Sequence, residues 1–128
     1  DEVYDIFMNN YVNIESPLNI IKTHYVQNDG IEATVTLDFN RQTNVIEGKG
    51  NGRLDSVSNA LKTYLDISYT IETYTEHALE NGSASKAVSY VAIKNSKDEV
   101  FWGTGIDTDI INSSARALIS SINKMIKS

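Results

Sequence analysis

From Ile31 to Phe39 the chain alternates without a fault: Ile31, Ala33, Val35, Leu37 and Phe39 take every second position, with Glu32, Thr34, Thr36 and Asp38 between them. Strand side chains point alternately to two faces, so this pattern predicts a half-buried antiparallel strand with one face on a core and one in water. Ahead of it, Leu18 to Val26 is rich in β-branched and aromatic residues, and Asn28-Asp29-Gly30 is a turn cluster that closes a hairpin. Thr43 to Gly48 predicts a returning third strand, which Gly48-Lys49-Gly50-Asn51-Gly52 then breaks. Leu54, Val57, Leu61, Tyr64 and Leu65 follow on one face of a helix, and the turn before them leaves the first helical amides uncovered.

The same order then recurs. Ile67, Tyr69 and Ile71 alternate with Ser68, Thr70 and Glu72, a loop carries Asn81-Gly82-Ser83, and Val88 to Ile93 and Val100 to Trp102 predict two more strands. Gly103-Thr104-Gly105 ends the last of these, and Ile110, Ile111, Ala115, Leu118, Ile119, Ile122 and Ile126 describe a helix with Lys124 and Lys127 near its C-terminal end. Each half thus ends a third strand in Gly-x-Gly and opens a helix holding an Ala-Leu pair, Ala60-Leu61 and Ala117-Leu118. The second half has two more residues between the glycines and that pair, so the repeat is approximate. The expected fold is α+β: two βββα units, about 16-66 and 67-128, with antiparallel strands, two helices and a pseudo-two-fold between the units. Val3, Ile6, Phe7 and Tyr11 predict a short linker helix over residues 1-15, ending before Pro17.

Composition narrows the function. A length of 128 residues with 41% hydrophobic content is enough for one core, and 22% charged residues describe a folded chain rather than a disordered one. The net charge of −6 and the scattered Lys and Arg make nucleic acid and anionic membrane surfaces poor partners. No apolar run approaches the ~18 residues of a membrane span, and Asp1, Glu2 and Asp5 stand where a secretory signal would be basic. The absence of cysteine removes disulfides, thiolate nucleophiles and the common zinc sites, and fits a cytoplasmic location. The chain does not open on Met, as expected of a segment from a longer protein.

Glycines before a helix invite an anion site, but the segment at 48-53 lacks both the third glycine of a dinucleotide fingerprint and a Walker Lys-Ser/Thr pair. Two readings remain: a turn and nothing more, or a turn whose helix amides also receive a carboxylate. Asp107-Thr108-Asp109 offers too few oxygens for Ca²⁺ and is better read as N-capping by Thr108 or Asp107. His24 and His77 have no nucleophile or second base at a recognisable spacing, so both read as ordinary core or surface residues. Tyr69, Tyr74 and Tyr90 lie in predicted strands, where packing is the first explanation and a hydroxyl at a pocket edge the second. With no triad, thiolate, metal cluster or paired acids, no catalytic residue is assigned and a stand-alone enzyme is the weaker hypothesis.

Three segments together carry a resemblance: Gly48-Lys49-Gly50-Asn51-Gly52 opening a helix, Tyr74-Thr75-Glu76-His77-Ala78-Leu79 with Gly82 after it, and Trp102-Gly103-Thr104-Gly105-Ile106-Asp107-Thr108-Asp109-Ile110. They resemble the C-terminal regulatory domain of 2-isopropylmalate synthase, the enzyme committing 2-ketoisovalerate to leucine biosynthesis. The resemblance implies two βββα units that pair with the same domain of a second subunit and bind L-leucine as feedback inhibitor, with no cofactor in this domain. It also implies an upstream barrel that condenses acetyl-CoA with the keto acid using a divalent metal. Carried over by position, the effector site would take Asn51, Gly52, Leu54 and Asp55 at the first helix start, and Ile71, Tyr74, Ala78, Ser85 and Ile106 from the second half. On that reading the helix amides meet the carboxylate, Leu54, Ile71, Ala78 and Ile106 surround the isobutyl group, and Tyr74 and Asp55 are candidates for the ammonium end.

Two positions depart from the family pattern: Arg53 stands where Pro is frequent, and Ser85 where a small apolar residue is common. The rivals are the similar domain of citramalate synthase, which answers to isoleucine, and a dimerisation module without ligand.

Overall fold

In the computed structural model of the protein, residues 16–79 and 86–128 are described. Their order is β1 (Leu18–Gln27), β2 (Ile31–Phe39), β3 (Gln42–Gly50), α1 (Arg53–Leu65), β4 (Tyr69–Leu79), β5 (Lys86–Asn95), β6 (Val100–Asp107) and α2 (Ile110–Lys127). Two three-stranded sheets, β1-β2-β3 and β4-β5-β6, are each followed by a helix, so the α+β fold of two βββα units holds. The linker helix expected over 1-15 lies outside the described residues. Chain contacts separate Ser16–Tyr69 from Thr70–Ser128 as two compact units.

In the first unit, antiparallel pairing sets Tyr25 opposite Ala33, Thr23 opposite Val35 and Ile20 opposite Leu37, with a bulge between Ile20 and Lys22. The hairpin turns through left-handed residues, Asp29 (φ 54°) and Gly30 (φ 119°), and the next one through Asn40 (φ 51°) and Arg41 (φ 68°). Ala33, Val35 and Leu37 are buried and their polar neighbours are not, as the alternation requires. α1 packs on β3 and β2 and brings Val57, Ala60 and Leu61 to the same core. It begins at Gly52, whose carbonyl receives the Ser56 amide at 3.0 Å, and ends where Asp66 turns left-handed (φ 53°).

The glycines of the two Gly-x-Gly pairs do not break their strands. Gly48 and Gly50 lie within β3, Gly103 and Gly105 within β6, and Gly30 is the one described glycine with positive φ. Their role is close approach. Two positions apart, both glycines of a pair face the helix, and a Cβ on Gly48 would sit 2.3 Å from the Ser56 carbonyl oxygen and 2.6 Å from the Ala60 Cβ. On Gly103 it would sit 2.1 Å from the Ala117 carbonyl oxygen and 2.4 Å from the Ser121 amide nitrogen. Each helix backbone therefore rests directly on a strand backbone. The alanines of the Ala-Leu pairs lie at this contact, and Leu61 and Leu118 fill the core beside it.

The second unit buries Ala87, Val91 and Ile93 of β5 with Ala115, Ala117, Leu118, Ile119 and Ile122 of α2. β3 ends at Gly50 whereas β6 runs two residues past Gly105 to Asp107, and a two-residue link then leads to the helix in both units, so the two extra residues lengthen the strand. Neither Asp107, the last residue of β6, nor Thr108 takes the N-cap position expected of them. The Asp109 carbonyl takes the first helical bond, from the Ser113 amide at 2.9 Å, while Asp107 accepts the Asp109 amide at 3.0 Å and the Arg116 Nε at 3.0 Å. α2 also buries four serines and Asn123, and among the described residues no buried side-chain nitrogen or oxygen lacks a hydrogen-bond partner. Ser121 Oγ donates to the Leu118 carbonyl at 2.7 Å and Ser89 Oγ pairs with Ser113 Oγ at 2.7 Å. Small hydroxyl side chains let the helix lie close to the sheet while satisfying themselves locally.

Tyr69 closes the first core: its ring is buried, its hydroxyl pairs with Ser58 Oγ at 2.7 Å, and Lys62 Nζ lies 4.8 Å from the ring centroid. Burial pushes its phenol up to about 12.

Two outcomes are expected from this packing. Gly48→Ala and Gly103→Ala each cost about 3 kcal/mol in urea unfolding, because the added methyl meets helix backbone that cannot swing aside. Gly52→Ala, where an added Cβ meets nothing within 4 Å, costs under about 1 kcal/mol; equal losses at all three sites would refute the contact. Because the folded Tyr69 titrates above the unfolded value of 10.0, its contribution is complete below pH 10 and is lost as pH rises toward 12. That slope amounts to about 2–3 kcal/mol and should disappear in Tyr69→Phe when stability is followed from pH 9 to 12.

Candidate functional site

The residues singled out in the sequence divide between the two units, four in the first and five in the second. At the start of α1, Gly52 is extended (φ −143°, ψ 176°) and provides no side-chain cap. An exposed helix start carries partial positive charge on unpaired amides, which suits an anion. Asp55 lies in the first turn, where a carboxylate complements that charge, and its Oδ2 accepts the Asn51 amide at 3.1 Å. The same carboxylate lies 2.5 Å from where a Gly50 Cβ would stand, so Gly50 makes room for it. Leu54 is half-buried, and Asn51 and Asp55 are exposed. Arg53 has a use the sequence does not reveal: its guanidinium stands over the Tyr25 ring, 5.6 Å from the centroid, which offsets a cation at the positive end of a helix.

In the second unit, Ile71, Tyr74 and Ala78 belong to β4 and Ile106 to β6, while Ser85 lies outside the described residues. Tyr74 reaches the α2 side of its sheet, where its hydroxyl is 2.7 Å from Ser114 Oγ and also donates to Glu76. Ile71 and Ile106 go the other way. Ile106 alternates with Gly105, which lies against α2, and Ile71 is three residues from Tyr74 on a strand of period two. His77, of Ile71's parity, sits 6.3 Å ring to ring from Tyr90, whose β6 partner is Thr104. The structure thus gathers Asn51, Gly52, Leu54 and Asp55 at one helix start and divides Tyr74 from Ile71 and Ile106 across one sheet.

Sequence reasoning missed Ser114 and Glu76, the hydrogen-bond partners of the Tyr74 hydroxyl, and Ser89 behind Ser114. Ser89 Oγ lies 3.5 Å from Ser114 Oγ, and Ser89 is fully buried. Burial, and then the hydrogen bond to Glu76, push the Tyr74 phenol above its ordinary value. A groove of about 360 Å³ on the first sheet, bordered by Val26, Glu32, Thr34, Glu47 and Lys49, contains none of the expected residues. Among the described residues no group of three or more His, Asp or Glu could hold a metal ion, and no helix is long and apolar enough to cross a membrane.

Each unit thus has its own features: the first a helix start with Asp55 in its first turn, the second a phenol held by Ser114 and Glu76. Compared with known families, residues 1–126 match the LeuA allosteric (dimerisation) domain. The chain belongs to that family. This LeuA domain is 49% identical over 127 residues to the 2-isopropylmalate synthase of Desulfitobacterium hafniense (strain Y51), covering 99% of the chain and 23% of that protein. It is 39% identical over 138 residues to the 2-isopropylmalate synthase of Helicobacter hepaticus (strain ATCC 51449 / 3B1), covering 98% of the chain and 24% of that protein. With the same enzyme of Acetoanaerobium sticklandii the identity is 38% over 132 residues, covering 98% and 23%. The LeuA domain thus spans about a quarter of the length of the curated relatives it matches.

Asp55→Ala is expected to lose about 1 kcal/mol of stability in urea unfolding, since it removes both the acceptor for Asn51 and the charge matched to the helix start. Asp55→Asn, which keeps an acceptor oxygen, should lose about half of that; an unchanged Asp55→Ala would remove the carboxylate from the cap.

Proposed function

We propose that this chain is the leucine-sensing regulatory domain of a 2-isopropylmalate synthase and pairs with a second copy of itself. The observation that carries the reading is the match of residues 1–126 to the LeuA allosteric domain, joined to 49% identity with a 2-isopropylmalate synthase over 99% of the chain. In the first unit the assigned residues are Asn51, Gly52, Leu54 and Asp55, whose helix amides suit a carboxylate. In the second they are Ile71, Tyr74, Ala78, Ser85 and Ile106, which add apolar surface and hydroxyls for a branched amino acid. Condensation of acetyl-CoA with 2-ketoisovalerate belongs to the remainder of such an enzyme. Its divalent metal finds no donor set among the described residues, and no step of that reaction is assigned to this chain. Feedback then consists of leucine binding two states of the whole enzyme with unequal affinity, in a cytoplasmic biosynthetic setting.

Calorimetric titration of the chain with L-leucine, L-isoleucine, L-valine and 2-ketoisovalerate tests this, together with light scattering. Saturable heat with leucine is expected, at a mass twice the single-chain 14.2 kDa. A preference for isoleucine would favour the citramalate synthase type, and silence with every compound would favour dimerisation alone. A monomer at every concentration would remove the pairing.

A further inference from the structure

The Tyr74 hydroxyl has two partners, Glu76 and Ser114, and only one proton. A carboxylate accepts and does not donate, so the phenolic proton goes to Glu76. The 2.7 Å contact with Ser114 Oγ must then run the other way, with Ser114 donating to the phenolic oxygen. The fold holds Ser114 in position to donate. It is only 5% exposed, on a helix fixed to its sheet through Gly103 and Gly105, with Ser89 Oγ 3.5 Å behind it. Tyr74 itself is 41% exposed. Its proton goes to the exposed Glu76 and Ser114 fills one lone pair from the buried side, which leaves the second lone pair as what the hydroxyl offers a ligand.

We propose that Ser114 is a positioning residue that fixes the polarity of the Tyr74 hydroxyl, so that Tyr74 meets the effector as an acceptor and selects an α-amino acid over the corresponding α-keto acid. The inference rests on the reading of Tyr74 as part of the leucine site. An ammonium group brings donors to the second lone pair and to Glu76; a keto acid brings only acceptors, which both groups repel. Without the Ser114 hydroxyl the phenol loses its inward donor and can rotate its proton toward the ligand, so discrimination falls.

The test is calorimetry with L-leucine and 4-methyl-2-oxopentanoate on the wild-type chain, Ser114→Ala, Tyr74→Phe and the double variant. Wild type should prefer leucine, and Ser114→Ala should weaken leucine about fivefold while narrowing its ratio to the keto acid. In the Tyr74→Phe background Ser114→Ala should change neither affinity, a non-additivity that a merely structural serine would not produce. Glu76→Gln, which allows the side chain to donate, should narrow the ratio in the same direction. If wild type binds leucine while Ser114→Ala keeps both affinity and ratio, or if the two substitutions add, this inference falls and the leucine reading stands. If wild type binds neither compound, the leucine reading falls and takes the inference with it.

Discussion

The contact between helix backbone and strand backbone governs this molecule. At Gly48 and Gly103 the helix lies so near the strand that a single methyl group would overlap its peptide atoms. Close-packed interiors do not yield to such an intrusion without moving a whole element. Nearly everything else in each unit is arranged around that proximity. Alanines face the glycines, leucines one position on fill the adjoining core, and α2 carries serines where bulkier residues would hold it off the sheet. Among the buried hydroxyls left by this choice of small residues, Ser114 reaches Tyr74 and Ser113 reaches Ser89.

Much of the architecture was legible because sheets and helices have different periods. The unbroken alternation of Ile31 to Phe39 and the helical spacing of Val57 and Leu61 became β2 and α1 with the expected faces inward. The Gly-x-Gly pairs were located correctly and given the wrong cause. Glycine is chosen both for left-handed turns and for close approach, and a sequence does not separate the two. The separation of two, which puts both glycines on one strand face, was the available clue.

The candidate site was legible in a different way. Its residues came from a resemblance, since nothing in their types or spacing singles out Asn51 or Ile106 from other surface positions. What the strand period does say is that Ile71 and Tyr74, three apart, point to opposite sides of β4, and the Ser114 contact of Tyr74 agrees. Ser114 itself stands 40 residues from Tyr74 in the chain, and a serine within a helix carries no local sign of such a partner. Arg53 looked misplaced at the positive end of a helix until its neighbour Tyr25, brought there by β1, was visible.

The absence of any cushion between strand and helix has a mechanical meaning. Side-chain layers can absorb a small displacement by changing rotamers, whereas two backbones in direct contact have no such slack. Within each unit the third strand and its helix therefore form one stiff lever. A push received at the start of α1, or a tug on Tyr74 passed through Ser114, moves that lever as a whole. The give must come from the connections at its ends, so that any displacement of a unit is concentrated in its loops and little of it is lost within the lever.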